Sequence, residues 1–198
     1  MPRAILKANA KDSLRGNWGI AILSLLIGTV LLGAASCVFG IGELIVIGPI
    51  ETGLALIYMK LSYRDNPEIG DLFAPFQNFV NTFFAGFLVT LFTFLWSLLL
   101  VVPGIVKSMA YSQTFFIMNE HPEYAGREAI DASQEMMRGH KWEYFVLNLS
   151  FIGWFLLSSL TFGLLLFYVM PYYQATMAEY YRYLKEEQET PRVESPEF

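Results

Sequence analysis

The 198-residue sequence is poor in cysteine, histidine and charge. Its one cysteine, Cys37, excludes an internal disulfide and any metal cluster built on cysteines. The two histidines, His121 and His140, have no metal-binding spacing, and neither a nucleophilic serine elbow nor a phosphate-binding loop with its lysine occurs. We therefore expect no catalytic residue, no metal site, no cofactor and no enzymatic activity.

Charged residues make up only 16% of the chain, against 55% apolar residues, and they are unevenly spread. The 35 residues between Glu143 and Glu179 contain no Asp, Glu, Lys or Arg, and Lys107 is the only charge in the 40 residues from Phe79 to Met118. A soluble helix needs a solvated face, whereas about 20 apolar residues cross the roughly 30 Å of hydrocarbon in a bilayer. Each of these two stretches therefore predicts a pair of membrane crossings.

Together the apolar runs predict an all-α, polytopic membrane protein with about six transmembrane helices. The spans we predict are residues 18–39, 44–62, 77–99, 102–119, 143–161 and 164–183. The turn between the third and fourth spans is placed at Pro103-Gly104 or a few residues earlier. The first run is longer than the apolar core of a signal peptide, which favours a span over a cleaved leader.

The spans form three hairpins with recurring landmarks, which indicates an internal repeat. Arg15-Gly16 returns as Arg138-Gly139 after 123 residues, and Pro49 returns as Pro171 after 122. The tip Phe39-Gly40 returns as Phe162-Gly163, again after 123 residues. We predict one membrane domain over residues 1–185, with hairpin units of about 1–65, 66–120 and 121–185, followed by a disordered acidic tail over residues 186–198.

The positions of the basic residues predict the orientation. Of the 13 Lys and Arg residues, 12 lie at the N-terminus, in the two long connections or near the C-terminus, and the exception is Lys107. Because positively charged loops stay in the cytoplasm, we predict a multi-pass protein of the cell (cytoplasmic) membrane with both termini inside the cell.

Two segments have the pattern of interfacial amphipathic helices. The first carries Arg3, Lys7, Lys11 and Arg15 at four-residue spacing. This pattern indicates either contact with lipid headgroups or a topology signal without lipid specificity, and we favour the topology signal. The second, residues 125–138, should bury Ala129, Ile130, Ser133, Met136 and Met137, expose Arg127, Glu128, Asp131 and Glu135, and end at Gly139. The partners we predict are membrane lipids, with other membrane proteins or a second copy of the chain as further candidates. No nucleic acid is expected.

A charge inside the hydrocarbon costs about 2.5 to 3.5 kcal/mol on insertion scales, so Glu51 and Lys107 are candidate functional residues. Both follow a proline by a few residues, at similar predicted depth, and Tyr173 and Gln174 lie at the equivalent depth of the third hairpin. These four residues form a predicted intramembrane polar cluster. The alternatives are a structural ion pair, which we favour, a substrate or proton site, and a Lys107 that extends toward the membrane surface. The small residues Gly48 and Gly86 are expected to permit close helix packing.

Several short motifs resemble those of an uncharacterised bacterial integral membrane family, a domain of unknown function. They are Glu128-Ala129-Ile130, Ser133, Met136-Met137, Gly139-His140-Lys141-Trp142, Phe145 and the run of residues 98–105. The Pro-Gly-Ile and Glu-Ala-x-x-x-Ser patterns are more distantly similar to the membrane domain attached to some bacterial glycerophosphodiester phosphodiesterases. The resemblance implies a location and a fold, and no activity.

Two hypotheses for function follow from these patterns. The first is a non-enzymatic scaffold, accessory or lipid-interacting protein of the membrane, in which Glu51 and Lys107 are structural. The alternative is a small transporter or permease component that uses the polar cluster. We favour the first on the sequence, because buried ion pairs are more often structural than substrate-binding.

Overall fold

A computed structural model describes residues 3–37, 41–99 and 101–189, and these residues form helices without any strand. The helices are α1 (Arg3–Ser13), α2 (Trp18–Ser36), α3 (Ile41–Ser62), α4 (Phe79–Leu99), α5 (Val101–Ala110), α6 (Thr114–Glu120), α7 (Gly126–Met136), α8 (Lys141–Leu149), α9 (Ile152–Leu160) and α10 (Leu166–Glu189). Two short 3-10 turns, Ile69–Leu72 and Ala74–Asn78, precede α4. The all-α class predicted from the apolar runs is confirmed.

Four segments of the described chain are long and apolar enough to cross a membrane, namely Trp18–Ser36, Gly42–Ser62, Ile69–Leu98 and Lys141–Leu160. They overlap with the first, second, third and fifth predicted spans, and the third begins eight residues earlier than predicted. The fourth predicted span is divided into α5 and α6, each shorter than a crossing, by an irregular turn at residues 111–113. The sixth lies within α10, whose C-terminal half carries Glu179, Arg182 and Lys185 and is therefore less apolar. Six crossings thus stay a prediction.

Helix α3 lies at the centre of the molecule and contacts α2, α4, α6 and α10. In its most apolar stretch 61% of the residues are buried inside the protein, against 17% in each of the other three candidate spans. The fully buried Tyr58 of α3 donates a hydrogen bond to the Ala21 carbonyl of α2 at 2.8 Å. A polar group on α3 therefore meets protein on most sides.

Helices α3 and α4 touch through their backbones at two glycines. A Cβ atom added to Gly86 would lie 2.6 Å from the Gly48 nitrogen, and one added to Gly48 would lie 2.8 Å from the Thr82 carbonyl carbon. Neither position leaves room for a side chain. The packing role predicted for Gly48 and Gly86 is confirmed.

Helix α4 ends at Leu99 and α5 begins at Val101, and the residue between them lies outside the described ranges. Pro103 and Gly104 are helical, which excludes a turn at this pair. Gly104 packs directly on Ser97, where an added Cβ would lie 2.8 Å from the Ser97 Cα. Pro103 occupies the first turn of a helix, where its missing N–H costs nothing, whereas Pro49 and Pro171 lie inside α3 and α10.

The connections α1–α2 and α7–α8 have the same local structure, 123 residues apart. Gly16 and Gly139 both adopt positive φ, +82° and +87°. Each is preceded by an ion pair three residues apart, Arg15 with Asp12 at 3.3 Å and Arg138 with Glu135 at 2.7 Å. The backbone hydrogen bonds also correspond. In the first connection the N–H groups of Leu14, Asn17 and Ala21 donate to the carbonyls of Ala10, Leu14 and Asn17, respectively. In the second, 123 residues later, those of Met137, His140 and Tyr144 donate to the carbonyls of Ser133, Met137 and His140.

The burial of α1 and α7 corresponds at the same offset. The buried set of Leu6, Ala10, Ser13 and Leu14 on the first matches Ala129, Ser133, Met136 and Met137 on the second. The five residues predicted to face inward in residues 125–138 are all buried, and the four predicted to face outward are all exposed. This match concerns the entry segments only, so a repeat of whole hairpins stays a prediction.

Two predictions, for the hairpin tips and for the acidic tail, fall partly outside the described residues. The predicted tip Phe39-Gly40 lies outside the described residues, whereas Phe162-Gly163 forms a turn in which both residues have positive φ. Residues 186–189, expected in the disordered tail, belong to α10, where Glu186 lies 3.5 Å from Arg182 one turn earlier. The rest of that tail, residues 190–198, is outside the described range.

Candidate functional site

A small cavity lies beside the central helix α3, at the level of Glu51. Glu51 follows Pro49 by two residues, between the buried residues Ile50 and Thr52. The cavity measures about 190 Å³. Its polar lining consists of Glu51, Ser112, Tyr144, Tyr173 and Gln174, and its apolar lining of Leu54, Ala55, Phe115, Phe116 and Met177. It is therefore bordered by α3, the α5–α6 break, α6, α8 and α10.

The structure brings together three of the four residues predicted for the intramembrane cluster. Glu51, Tyr173 and Gln174 all line this cavity. The fourth, Lys107, does not. Its ammonium donates a hydrogen bond to Gln134 Oε1 at 3.1 Å, and lies 5.3 Å from the centre of the Trp96 ring. Lys107 is therefore held against α4 and α7, and the predicted pairing with Glu51 is wrong.

The reason for this difference is the rotation of α5 about its axis. The sequence indicates how deep a residue lies along a span, because each helical residue advances 1.5 Å. It does not indicate which face of the helix that residue occupies when the helix is apolar on all sides. Close packing of Gly104 on Ser97 fixes the rotation of α5 and turns Lys107 away from α3.

Hydrogen bonds hold the polar wall of the cavity opposite Glu51. The Tyr173 hydroxyl donates to Asn148 Oδ1 at 2.6 Å, and Asn148 Nδ2 donates to the Tyr144 carbonyl at 2.8 Å. The Tyr144 side chain interacts with those of Ser112, Asn148 and Tyr173. Gln113 Nε2 donates to the Ser112 hydroxyl at 2.8 Å. The wall is thus a connected network that joins α8, α10 and the break after α5.

Glu51 itself has no hydrogen bond and no ion pair with any residue in the described ranges. An ionised carboxylate away from water is costly unless it is paired, and a neutral one still has a proton to donate. The Glu51 cavity therefore combines one unpaired acid with hydroxyl, amide and aromatic groups. This combination can bind a proton, a monovalent cation or a small protonated amine.

Sequence reasoning missed Ser112, Tyr144 and Asn148. All three lie in predicted spans, where single polar residues are usually packing groups, so the sequence offered no signal that they share a site. Ser112 reaches the cavity because the chain leaves the helix at residues 111–113.

The basic residues predicted to contact lipid headgroups divide into two pairs. Lys7 and Lys11 lie over aromatic rings, with the ammonium groups 4.1 Å from the centre of the Phe151 ring and 5.2 Å from that of Tyr172, respectively. Arg3 is exposed, and Arg15 is exposed beside Asp12. Helix α1 packs its buried face on α10 and α3, so it is held by protein as well as by any membrane surface.

The described residues contain no group of histidine, cysteine and carboxylate side chains able to hold a metal. His121 Nδ1 lies 3.1 Å from Glu123, and His140 Nδ1 lies 3.5 Å from Glu143. Cys37 is a free, exposed thiol. Each histidine thus lies beside a carboxylate near the start or end of a helix.

Comparison with known proteins supports the first of the two resemblances in part, because it finds a family of unknown function over part of the chain. No curated protein and no solved structure matches the chain. The distant resemblance to the membrane domain of glycerophosphodiester phosphodiesterases is not addressed by these comparisons and stays a prediction. Residues 98–188, which include α5 to α9 and nearly all of α10, match the family described as Protein of unknown function (DUF975).

Proposed function

We propose that this chain is a multi-pass protein of the cytoplasmic membrane that binds a small organic cation at Glu51 and carries it across the bilayer. The observation that carries the proposal is the unpaired Glu51 carboxylate in a cavity bounded by the Tyr144 and Tyr173 rings. A bound ammonium would neutralise the acid and lie against aromatic faces. The proposal assigns no catalytic residue.

The proposed architecture has six crossings in three hairpins, with both termini in the cytoplasm. The matched connections at Gly16 and Gly139 support related hairpins, and the basic residues around them support a cytoplasmic location. In this arrangement α5 and α6 together form the fourth crossing and α10 the sixth. Broken helices at the level of a binding site are a common feature of membrane transporters.

The cavity volume restricts the solute. About 190 Å³ is below the 300 to 1,000 Å³ typical of pockets for drug-sized ligands. The lining offers one acid, two phenols, one amide and one hydroxyl, and no cation. We therefore propose a primary amine or a small alkylammonium ion as the solute class.

Uptake into proteoliposomes tests the proposal. Labelled methylammonium is the probe, and the comparison is between the wild type and Glu51→Gln, which keeps the shape of the side chain and removes its charge. We expect uptake to fall at least about tenfold, equivalent to 1.4 kcal/mol of binding. Glu43→Gln is the matched control, because Glu43 lies on the same helix and is bound to Ser36 at 2.7 Å outside the cavity. Equal uptake by the wild type and Glu51→Gln would overturn the proposal.

A scaffold or accessory role is the second candidate, and the central position of α3 favours it. If Glu51 serves only packing, Glu51→Gln would change the melting temperature or the amount of protein in the membrane, with or without solute. Under the transport proposal, Glu51→Gln has the melting temperature of the wild type in the absence of methylammonium. Methylammonium then raises the melting temperature of the wild type but not that of the variant. Melting curves with and without methylammonium therefore separate the two roles.

A further inference from the structure

Helix α1 presents two lysines to the third hairpin in an arrangement that neither the fold nor the Glu51 cavity explains. Lys7 Nζ donates a hydrogen bond at 3.2 Å to the carbonyl of Ser150, the residue that follows α8, and lies over the Phe151 ring. Lys11, one turn later on the same face, lies over Tyr172. The Phe151 and Tyr172 rings are themselves in contact, with centroids 5.3 Å apart.

These two ammonium groups have no carboxylate partner in the described part of the chain. The one acid of α1, Asp12, already binds Arg64 at 2.8 Å and Arg15 at 3.3 Å. Burial, together with the charges of Arg3 and Lys11, lowers the pKa of Lys7. The site is therefore an uncompensated concentration of positive charge, and an anion between the lysines would relieve the repulsion.

A row of aromatic rings leads from the lysines to an apolar groove. Tyr172 contacts Tyr168 at 6.2 Å between centroids, and Tyr168 stacks on Trp18 at 4.9 Å. Beyond Trp18 lies a hollow of about 420 Å³ lined by Ile22 and Phe167 among others. Tyrosine and tryptophan commonly occupy the boundary between headgroups and hydrocarbon.

The hollow continues into a larger groove between α2 and α10, which shares Ile22 and Phe167 with it. This groove measures about 490 Å³ and is lined almost wholly by apolar side chains. Its walls include Leu26, Val30 and Met170, and Leu26 and Val30 are exposed at the protein surface. A groove of this shape fits the extended acyl chain of a membrane lipid.

We infer that Lys7 and Lys11 hold the phosphate of one anionic phospholipid and that the α2–α10 groove holds its acyl chain. Charge complementarity selects the headgroup, and continuity through Tyr168 and Trp18 joins it to the chain. Arg3 and Arg15 are not part of this site, because neither has an aromatic neighbour among the described contacts and Arg15 is already paired with Asp12. The inference depends neither on the Glu51 cavity nor on the six-crossing architecture. It places Trp18 and Tyr168 on the same side of the membrane, as their stacking at 4.9 Å requires, whereas six crossings would place the starts of α2 and α10 on opposite sides.

Native mass spectrometry of the purified protein in detergent tests this site. The probes are phosphatidylglycerol and phosphatidylcholine with identical acyl chains, titrated separately. We expect the wild type to favour phosphatidylglycerol and each lysine to contribute about fivefold to that preference. The Lys7→Gln/Lys11→Gln variant should lose the preference, whereas the matched variant Arg3→Gln/Arg15→Gln, with the same change in net charge, should keep it.

Two further measurements keep the test decisive. Lys11→Gln alone keeps the Lys7 hydrogen bond to Ser150, so a loss of preference in this variant is not a loss of folding. Thr29→Trp, which fills the groove, should weaken both lipids and leave the preference between them unchanged. A preference that survives in Lys7→Gln/Lys11→Gln, or that falls equally in Arg3→Gln/Arg15→Gln, would overturn the site. Stabilisation by inorganic phosphate alone as strong as that by phosphatidylglycerol would overturn the lipid assignment in favour of a free anion.

Discussion

At the scale of single residues, the absence of a side chain matters as much as its presence. Gly48 and Gly86 let α3 and α4 meet backbone to backbone, and this contact sets the position of the helix that carries Glu51. Glycine is otherwise unfavourable in a helix, by up to about 1 kcal/mol relative to alanine. The occurrence of glycine on both helices at this contact is therefore explained by packing.

Gly86→Ala should separate α3 from α4, because the added methyl group would overlap the Gly48 backbone. We expect a loss of about 1 to 3 kcal/mol in stability, as for other overpacked sites. Thermal unfolding in detergent measures it. The control is Gly33→Ala in α2, where an added Cβ has no heavy atom within 4 Å, and which should be neutral or stabilising. Equal melting temperatures for Gly86→Ala and the wild type would contradict the close contact.

At the scale of elements, the C-terminal ends of α3, α6 and α10 are joined by one carboxylate. The Glu120 carboxylate at the end of α6 accepts two hydrogen bonds of 2.9 Å from Lys185 and one of 2.8 Å from Tyr181, both on α10. Tyr63, just after α3, donates to the same carboxylate at 3.3 Å. These are the helices that carry Glu51, Phe115 and Gln174, so Glu120 ties together three walls of the cavity.

A double-mutant cycle with Glu120→Gln and Lys185→Met measures this tie. We expect a coupling energy of about 1 kcal/mol, limited because the Lys185 side chain is 35% exposed and partly screened by solvent. The hydrogen bonds to Glu120 raise the pKa of Lys185. A raised lysine pKa stabilises the folded state at every pH below the unfolded value of about 10.4, and this contribution is lost only as the pH rises through the folded pKa. The coupling should therefore be the same at pH 7 and pH 9, and a decline across that range would contradict the assignment.

At the scale of the whole molecule, the number of crossings determines on which side of the membrane each connection lies. Four segments qualify as spans by length and apolarity, whereas the proposed architecture has six. The two arrangements place the same residues on opposite sides. With six crossings α7 lies inside the cell and the α9–α10 turn outside, and with four crossings, where α5 and α6 do not return through the bilayer, these positions are reversed.

Cysteine labelling in intact cells distinguishes the two arrangements. Single cysteines at Arg127, which is exposed on α7, and at Leu164, 74% exposed in the α9–α10 turn, are placed in a Cys37→Ser background. Six crossings predict that an impermeant maleimide labels Leu164→Cys in intact cells and Arg127→Cys only after permeabilisation. The native Cys37, exposed after α2, serves as the outer control, and Asn66→Cys as the inner one. Labelling of Arg127→Cys from outside would exclude the six-crossing topology.

The sequence by itself determined the helical class, the positions of α2, α3, α4 and the α8–α9 segment, and the buried face of α7. It could do so because these depend on local properties, the length of an apolar run and the period of polar residues along one helix. Glu51, Tyr173 and Gln174 were placed in one site from depth alone. Only the tertiary structure decided that Lys107 faces Gln134, that the chain breaks at residues 111–113, and that Lys7 and Lys11 lie on aromatic rings. A helix that is apolar on all sides has no periodic signal for its rotation, so contacts such as Gly48 with Gly86 and Gly104 with Ser97 determine which of its few polar groups meet.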